Sequence, residues 1–184
     1  MSRLLSFALA ALLATGLSVG PAVAQTAAPG VDPGTKIAFP SSLAGTTLAR
    51  SNGSTYEYTA SNGMGITVDV YDNGRRIPNG SSHPTIINQF NDELATISQQ
   101  ASAAGLKGFE KPAVPSACTY GQYTLRCIVF SAQGGSSGRI YGKFLLIGYR
   151  EHFVKIIVHW NQAGGQTNAD VDKLLTAFVP ALLH

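Results

Sequence analysis

The sequence carries little charge of either sign. Of its 184 residues only 12% are Asp, Glu, Lys or Arg, whereas an average soluble domain has about 25%. Apart from Arg3, twelve basic residues stand against ten acidic ones, and the basic residues are scattered along the chain. A nucleic-acid-binding face needs Lys and Arg clustered together. We therefore expect no nucleic-acid partner.

Cysteine is also scarce and occurs only at Cys118 and Cys127. An even number of cysteines in an exported chain favours a disulfide. A redox pair is more often Cys-x-x-Cys at the start of a helix, and a zinc site needs further ligands that the sequence does not place. Neither cysteine is near residue 24, so an acylated anchor has no attachment point. We predict a structural disulfide between Cys118 and Cys127.

A second long apolar run is missing, but one is present at the N-terminus. Arg3 precedes the apolar residues 4–14, and Ala22-Val23-Ala24 supplies small residues. This order is typical of a signal peptide, and the run is shorter than the roughly 20 residues that span a bilayer. We predict that residues 1–24 are cleaved off and that the remainder reaches the periplasm or is secreted, with no stable membrane anchor.

Residues 25–36 contain Pro and Gly without periodicity, which predicts a flexible leader. The rest, residues 37–184, has the size of a single domain. Alternating apolar, β-branched and aromatic residues predict strands at 37–39, 54–60, 65–71, 123–132, 139–150 and 153–160. Because residues 144–147 are apolar on both faces, we expect that strand to be central.

Two segments change to helical periodicity. The first begins at Pro84, with Ser82 or His83 as its cap, and stops at Gly105. Its predicted apolar stripe is Ile87, Phe90, Leu94, Ile97 and Ala101. The second covers residues 168–179, with a capping box at Thr167 and Asp170, and Pro180 ends or kinks it. Its predicted buried face is Val171, Leu174, Leu175 and Phe178.

Short links between the strands require antiparallel pairing. The predicted fold class is α+β, an antiparallel β-sheet with two main helices packed on it.

No motif predicts a catalytic residue, a cofactor or a metal ligand. Gly164 and Gly165 precede a helix, but the Lys-Ser/Thr pair of a phosphate loop is missing. No serine lies in Gly-x-Ser-x-Gly. Asp69, on a strand, is the carboxylate to examine for burial. The four histidines are not spaced to meet on one helical face; they are His83, His152, His159 and His184.

The long strand at 139–150 suggests binding instead of catalysis. Tyr141, Lys143 and Tyr149 are separated by even numbers of positions, so their side chains lie on one face of the strand. Each of these side chains has an apolar body and a polar tip. That face is either a surface for a ligand or partner, or the surface that the helices cover. Our leading hypothesis is a monomeric, non-catalytic module that binds an unidentified protein or small ligand.

Two alternatives stay open. One is a small periplasmic hydrolase with an unrecognised site, which requires a concave pocket where polar groups converge. The other is a secreted inhibitor, which requires a rigid exposed loop. The segment between Cys118 and Cys127 is the candidate for that loop.

Three stretches together carry a resemblance to known proteins. They are Ile37-Ala38-Phe39-Pro40, Thr67-Val68-Asp69-Val70-Tyr71, and residues 144–160 with the hairpin Gly148-Tyr149-Arg150. This pattern resembles a family of uncharacterised exported proteins of Gram-negative bacteria and, more distantly, the PsbP/DcrB-like α/β/α sandwich. The resemblance implies an antiparallel sheet between helices and a periplasmic location. It implies no catalytic residue.

Overall fold

The computed structural model describes residues 29–134 and 138–184. The predicted signal peptide lies outside these residues, as does the middle of the Gly/Ser-rich link at 133–138. Within the described ranges, no helix combines the length and the apolar character needed to cross a bilayer.

The described chain forms two helices and a large antiparallel sheet, so the predicted α+β class is confirmed. The helices are α1 (Pro84–Ala103) and α2 (Asn168–Leu182), and a short 3-10 turn spans Gln162–Gly164. The strands are β1 (Gly30–Val31), β2 (Ala38–Phe39), β3 (Ser42–Leu43), β4 (Thr46–Asn52), β5 (Thr55–Ala60), β6 (Gly65–Tyr71), β7 (Lys107–Glu110), β8 (Ser116–Tyr120), β9 (Tyr123–Gly134), β10 (Gly138–Tyr149) and β11 (His152–Asn161).

The main sheet has the order β3-β4-β5-β6-β11-β10-β9-β7, with β8 also paired to β9. β1 and β2 form a separate two-stranded ladder. The predicted central strand is confirmed, since β10 lies between β11 and β9 and every residue from Gly142 to Gly148 is buried.

The two helices pack on opposite faces of this sheet. Phe144 and Leu146 of β10 belong to the cluster beneath α1, whereas Leu145 and Ile147 belong to the cluster beneath α2. Successive side chains of a strand point to opposite faces, so an uninterrupted apolar run serves both clusters. The layers are helix, sheet and helix, and α2 contacts both β3 and β8, near the two ends of the sheet.

The ends of α1 follow the prediction. His83 is the N-cap, and its Nδ1 accepts the Thr85 N–H at 3.1 Å. Gly105, at φ +78°, closes the other end, because the Leu106 N–H donates to the Ala101 oxygen at 3.0 Å. The predicted stripe needs one correction, because Ile86 is fully buried and Ile87 only partly so.

Helix α2 begins with the predicted capping box of Thr167 and Asp170. Of the two predicted effects of Pro180, to end or to kink the helix, the first does not occur, because α2 continues to Leu182. A proline in a helix interior costs about 3 kcal/mol. Here the last turn buries Val179 and Leu182, and the Leu183 N–H still donates to the Val179 oxygen at 3.0 Å. Apolar burial offsets the missing hydrogen bond.

The segment predicted as a flexible leader contributes to the folded domain from Pro29 onward. Gly30–Val31 pairs with Ala38–Phe39. Between them, buried Asp32 accepts the Thr35 N–H and the Thr35 hydroxyl, both at 2.7 Å. A polar turn can be buried when its own side chains satisfy its backbone. Paired strands are therefore present from Gly30, before the expected domain start at residue 37.

Candidate functional site

Tyr141, Lys143 and Tyr149 lie on the face of β10 that points towards α2, but they do not form one open surface. Lys143 is 4% exposed and its Nζ lies 2.6 Å from Asp172 Oδ1 of α2. The Tyr149 hydroxyl donates to the Leu183 oxygen at 2.9 Å. Tyr141 is partly exposed. Of the three, Tyr141 is the residue that borders a cleft.

This cleft, which we call the aromatic cleft, lies where α2 begins and has a volume of about 410 Å³. It is lined by Val129, Tyr141, Trp160, Gln166, Thr167 and Asn168, together with Gly165. Tyr141 and Trp160 are directly opposite each other on β10 and β11. Their rings are nearly parallel, at 15°, with centroids 5.6 Å apart. They form an apolar wall at the end of the sheet.

The loop after β11 supplies the rim of the aromatic cleft. Asn161 Oδ1 accepts the Gly164 N–H at 2.7 Å, and Gly165 adopts φ +71°, a conformation that glycine reaches without strain. The chain then enters α2 at the Thr167 cap. This turn brings Gln166 and Asn168 to the aromatic pair.

Two side-chain amides at the rim are held by the protein. Asn168 Nδ2 donates to Asp172 Oδ2 at 3.0 Å. Gln166 Nε2 donates to the main-chain oxygen of Asn62 at 2.5 Å. Asp172 in turn accepts from buried Lys143, so the rim is connected to the interior of the sheet.

Lys143, Asp172 and Tyr120 form what we call the α2-side cluster. The Tyr120 hydroxyl donates to Asp172 Oδ1 at 2.5 Å. Burial and this hydrogen bond raise the pKa of Tyr120. Burial alone would raise the pKa of Asp172, but hydrogen bonds from Lys143 and Tyr120 hold that pKa below its ordinary value. Asp172 is therefore ionised and neutralises Lys143.

A second cleft, of about 400 Å³, lies farther along α2. Its lining includes Ala44, Met64, Lys173 and Ala177 and has no aromatic side chain. The hydrogen bond between Gln166 and Asn62 joins one lining residue of each cleft. The aromatic cleft is the better candidate, because small-molecule sites are lined mainly by apolar and aromatic side chains and each ring offers a large contact area.

The opposite face of the sheet holds another buried charged group, which we call the α1-side cluster. Asp69 is indeed buried, at 6% exposed. Lys155 Nζ lies 2.9 Å from Asp69 Oδ2 and 3.1 Å from Glu93 Oε2 of α1. The Tyr71 hydroxyl donates to Glu93 at 2.9 Å, and burial and Glu93 raise the pKa of Tyr71. None of these four residues lines either cleft.

The four histidines are dispersed. His83 caps α1, His184 Nδ1 contacts the Ala181 oxygen, and the His152 ring lies against Gly34. His159 pairs in register with Gly65, about 13 Å along β6 from Asp69 at ~3.3 Å per residue. Across residues 29–134 and 138–184, no three His, Cys, Asp or Glu side chains are arranged to hold a metal ion.

The predicted pairing of Cys118 and Cys127 is confirmed. Their sulfurs are at disulfide bonding distance and their Cα atoms lie 5.9 Å apart on the neighbouring strands β8 and β9. The segment between them is a tight hairpin turning at Gly121 and Gln122, with Tyr120 and Leu125 buried. The bridge braces the strand that carries Tyr120 of the α2-side cluster.

Comparison with protein-family models gives no match for this sequence, and comparison with curated proteins gives none either. The geometry therefore carries the functional argument alone. Sequence reasoning identified Tyr141 but missed Trp160, Gln166 and Asn168. The available signal was the only tryptophan of the chain, followed within eight residues by the capped start of a helix.

Proposed function

We propose that this protein is a non-catalytic binding module that takes up a small ligand in the aromatic cleft. The observation that carries the proposal is the pairing of Tyr141 with Trp160 as one wall of the aromatic cleft, an open cleft of about 410 Å³. Small-molecule sites typically occupy about 300–1,000 Å³ and combine aromatic walls with a few placed polar groups. Gln166 and Asn168 are those polar groups.

The arrangement gives binding more support than hydrolysis. A hydrolase needs a nucleophile within hydrogen-bonding reach of a base, and a third group that orients the base. The polar groups of the aromatic cleft are amides and hydroxyls. Asp69 and His159 lie on the opposite face of the sheet from Tyr141.

We further propose that the protein acts as a monomer after export to the periplasm or the medium. The sequence of residues 1–24 and the bonded cysteine pair are compatible with an oxidising compartment. The layering of helix, sheet and helix is compatible with a PsbP-like sandwich. The N-terminal sequence and mass of the native protein, measured with and without reductant, test the export proposal.

The binding proposal is tested through Trp160, whose emission reports on the aromatic cleft because the chain has one tryptophan. The protein lacking residues 1–24 is titrated with a library of small metabolites while emission is recorded. We expect at least one saturable change. It should disappear in Tyr141→Ala and persist in Tyr149→Phe, whose hydroxyl contacts Leu183 instead. Equal binding by Tyr141→Ala would overturn the proposal.

A further inference from the structure

The state of the two rim amides restricts what the aromatic cleft can bind. Their nitrogens donate to an ionised carboxylate, Asp172, and to the main-chain oxygen of Asn62. Both partners can only accept, so the nitrogen end of each amide must face the protein. The oxygen ends of Gln166 and Asn168 have no hydrogen-bond partner within the described ranges. The rim therefore offers acceptors and needs a ligand with donors.

The charges around the aromatic cleft disfavour an anion. A free helix N-terminus attracts anions. At α2 this position is already filled, because Asp170 Oδ2 accepts the Thr167 N–H at 2.9 Å and the Asp170 N–H donates to Thr167 Oγ1 at 3.3 Å. The Thr167 N–H and the Thr167 hydroxyl, which donates to Asp170 Oδ2 at 2.8 Å, lower the pKa of Asp170, so its negative charge stays at the helix start.

A cationic ligand is equally poorly served. The other carboxylate beside the rim, Asp172, is compensated by Lys143 at 2.6 Å and holds two further donors, from Tyr120 and Asn168. A ligand cation would have to compete for Asp172 with the ammonium group of Lys143, which would lose its counter-ion while buried. The site therefore suits a neutral molecule.

Two kinds of neutral ligand, planar heterocycles and sugars, differ in how their hydrogen-bond donors and acceptors would fit this rim. A planar heterocycle such as a nucleobase carries fixed ring acceptors next to its donors. With the rim nitrogens engaged, the Tyr141 hydroxyl can donate to one such acceptor, and any further ring acceptors would stay unpaired, which costs binding energy. A sugar hydroxyl can rotate to donate, and the C–H face of a pyranose carries slight positive charge that suits the negative face of an aromatic ring.

We propose that the aromatic cleft binds a neutral saccharide, with its C–H face against Tyr141 and its hydroxyl groups donating to the oxygens of Asn168 and Gln166. This inference rests on the proposed function and names its ligand class. The Tyr141 hydroxyl, which has no hydrogen-bond partner among the described residues, is a further contact for the sugar. Asp172 is a positioning residue that holds the amide of Asn168.

The test uses defined probes and Trp160 emission, supported by calorimetry. The neutral probes are maltose, cellobiose and N,N′-diacetylchitobiose. Glucosamine and glucuronic acid are the charged sugar probes, and adenosine is the planar probe. We expect a saturable change with at least one neutral disaccharide, and binding at least tenfold weaker for the charged sugars and adenosine.

Matched variants locate the binding. Tyr141→Ala should weaken it about tenfold or more, and Asn168→Ala about fivefold, the loss of one hydrogen bond. Asn88→Ala, an exposed asparagine on α1 across the sheet, should bind as the unchanged protein does. Thermal unfolding of each variant confirms that it is folded before binding is compared.

The outcomes separate this inference from the proposed function. Binding of a neutral disaccharide that is lost in Tyr141→Ala and weakened in Asn168→Ala supports both. If only adenosine, a charged sugar or another metabolite binds at Trp160, the saccharide inference is overturned and the binding module stands. If no saccharide and no library metabolite changes Trp160 emission, both are overturned.

Discussion

The two faces of the sheet hold similar buried groups with different surroundings. On each face a buried lysine meets a carboxylate of the covering helix and a tyrosine that donates to that carboxylate. Lys143 meets Asp172 of α2 and Tyr120, whereas Lys155 meets Glu93 of α1 and Tyr71. The α1-side cluster also holds Asp69 and its carboxylates are the less exposed, while the α2-side cluster extends through Asn168 to the aromatic cleft.

This difference separates a structural cluster from one connected to a site. The Asp69 and Glu93 side chains are 8% and 16% exposed, so water can replace their lysine only in small part. The Asp172 side chain is 41% exposed and lies beside the cleft. We infer that the α1-side cluster fixes α1 on the sheet and that the α2-side cluster also positions a rim residue.

The largest expected effect comes from Lys155→Met. This change leaves the buried carboxylate of Asp69 and the partly buried carboxylate of Glu93 without their cation, and breaking a buried ion pair typically destabilises a protein by about 3–5 kcal/mol. Denaturant unfolding monitored by circular dichroism measures the free energy of unfolding. Lys111→Ala, at an exposed position, is the control and should change it by less than ~0.5 kcal/mol. A loss no greater than the control's would show that the α1-side cluster contributes nothing.

The disulfide should rank next. Replacing both Cys118 and Cys127 by alanine frees the hairpin that carries Tyr120, and the loop-entropy model gives a loss of about 2–3 kcal/mol. The same denaturant experiment on the protein without substitutions, oxidised and then reduced, gives a second estimate of how much the disulfide adds to the free energy of unfolding. Agreement between the variant and the reduced protein supports a bridge that acts on the unfolded chain, and an unchanged midpoint in both refutes it.

Lys143→Met is the matched counterpart of Lys155→Met and should cost less, about 1–3 kcal/mol, because solvent can reach the carboxylate that it leaves. Ligand affinity in the aromatic cleft should change in this variant and stay constant in Lys155→Met, once each protein is shown to be folded. If ligand affinity changed in Lys155→Met and not in Lys143→Met, the α1-side cluster and not the α2-side cluster would be the one connected to the site.

The smallest effect is a dependence on acid. The pKa of Asp172 in the folded protein lies below its ordinary value of about 3.9. Its stabilisation is therefore present above pH ~4 and is lost as the pH falls through the lower, folded value. The unchanged protein should lose stability relative to Asp172→Asn over that acid range. Parallel curves for the two proteins would contradict this role of Asp172.

Much of the fold could be predicted from the sequence. A strand that is buried on both faces has an uninterrupted run of apolar residues, which is easy to recognise. Residues 144–147 predicted the central strand, and Gly105 and the Thr167 capping box predicted helix ends. β4, with the sequence TTLARSN, was missed because only Thr46 and Leu48 are buried in it. Pro180 does not end α2, one of the two predicted alternatives, because the burial of Val179 and Leu182 is a tertiary effect that local sequence preference does not contain.

The candidate site was only partly accessible. The alternation of side chains along a strand correctly placed Tyr141 and Lys143 on one face. It does not predict where a covering helix begins. α2 starts at Asn168, which leaves Tyr141 partly exposed while Lys143 is buried. The pairing of Tyr141 with Trp160 depends on the register of β10 and β11, and the rim depends on the turn at Gly165.

The most direct test of the aromatic cleft is nitrogen–proton NMR during titration with the neutral disaccharide probes. The single indole N–H of Trp160 gives one resolved signal, and the side-chain amide of Asn168 gives another. We predict that both shift along one saturation curve, while the backbone signals around Lys155 and Glu93 stay unchanged. Shifts confined to the α1 face, or none at Trp160 with any probe, would contradict the account.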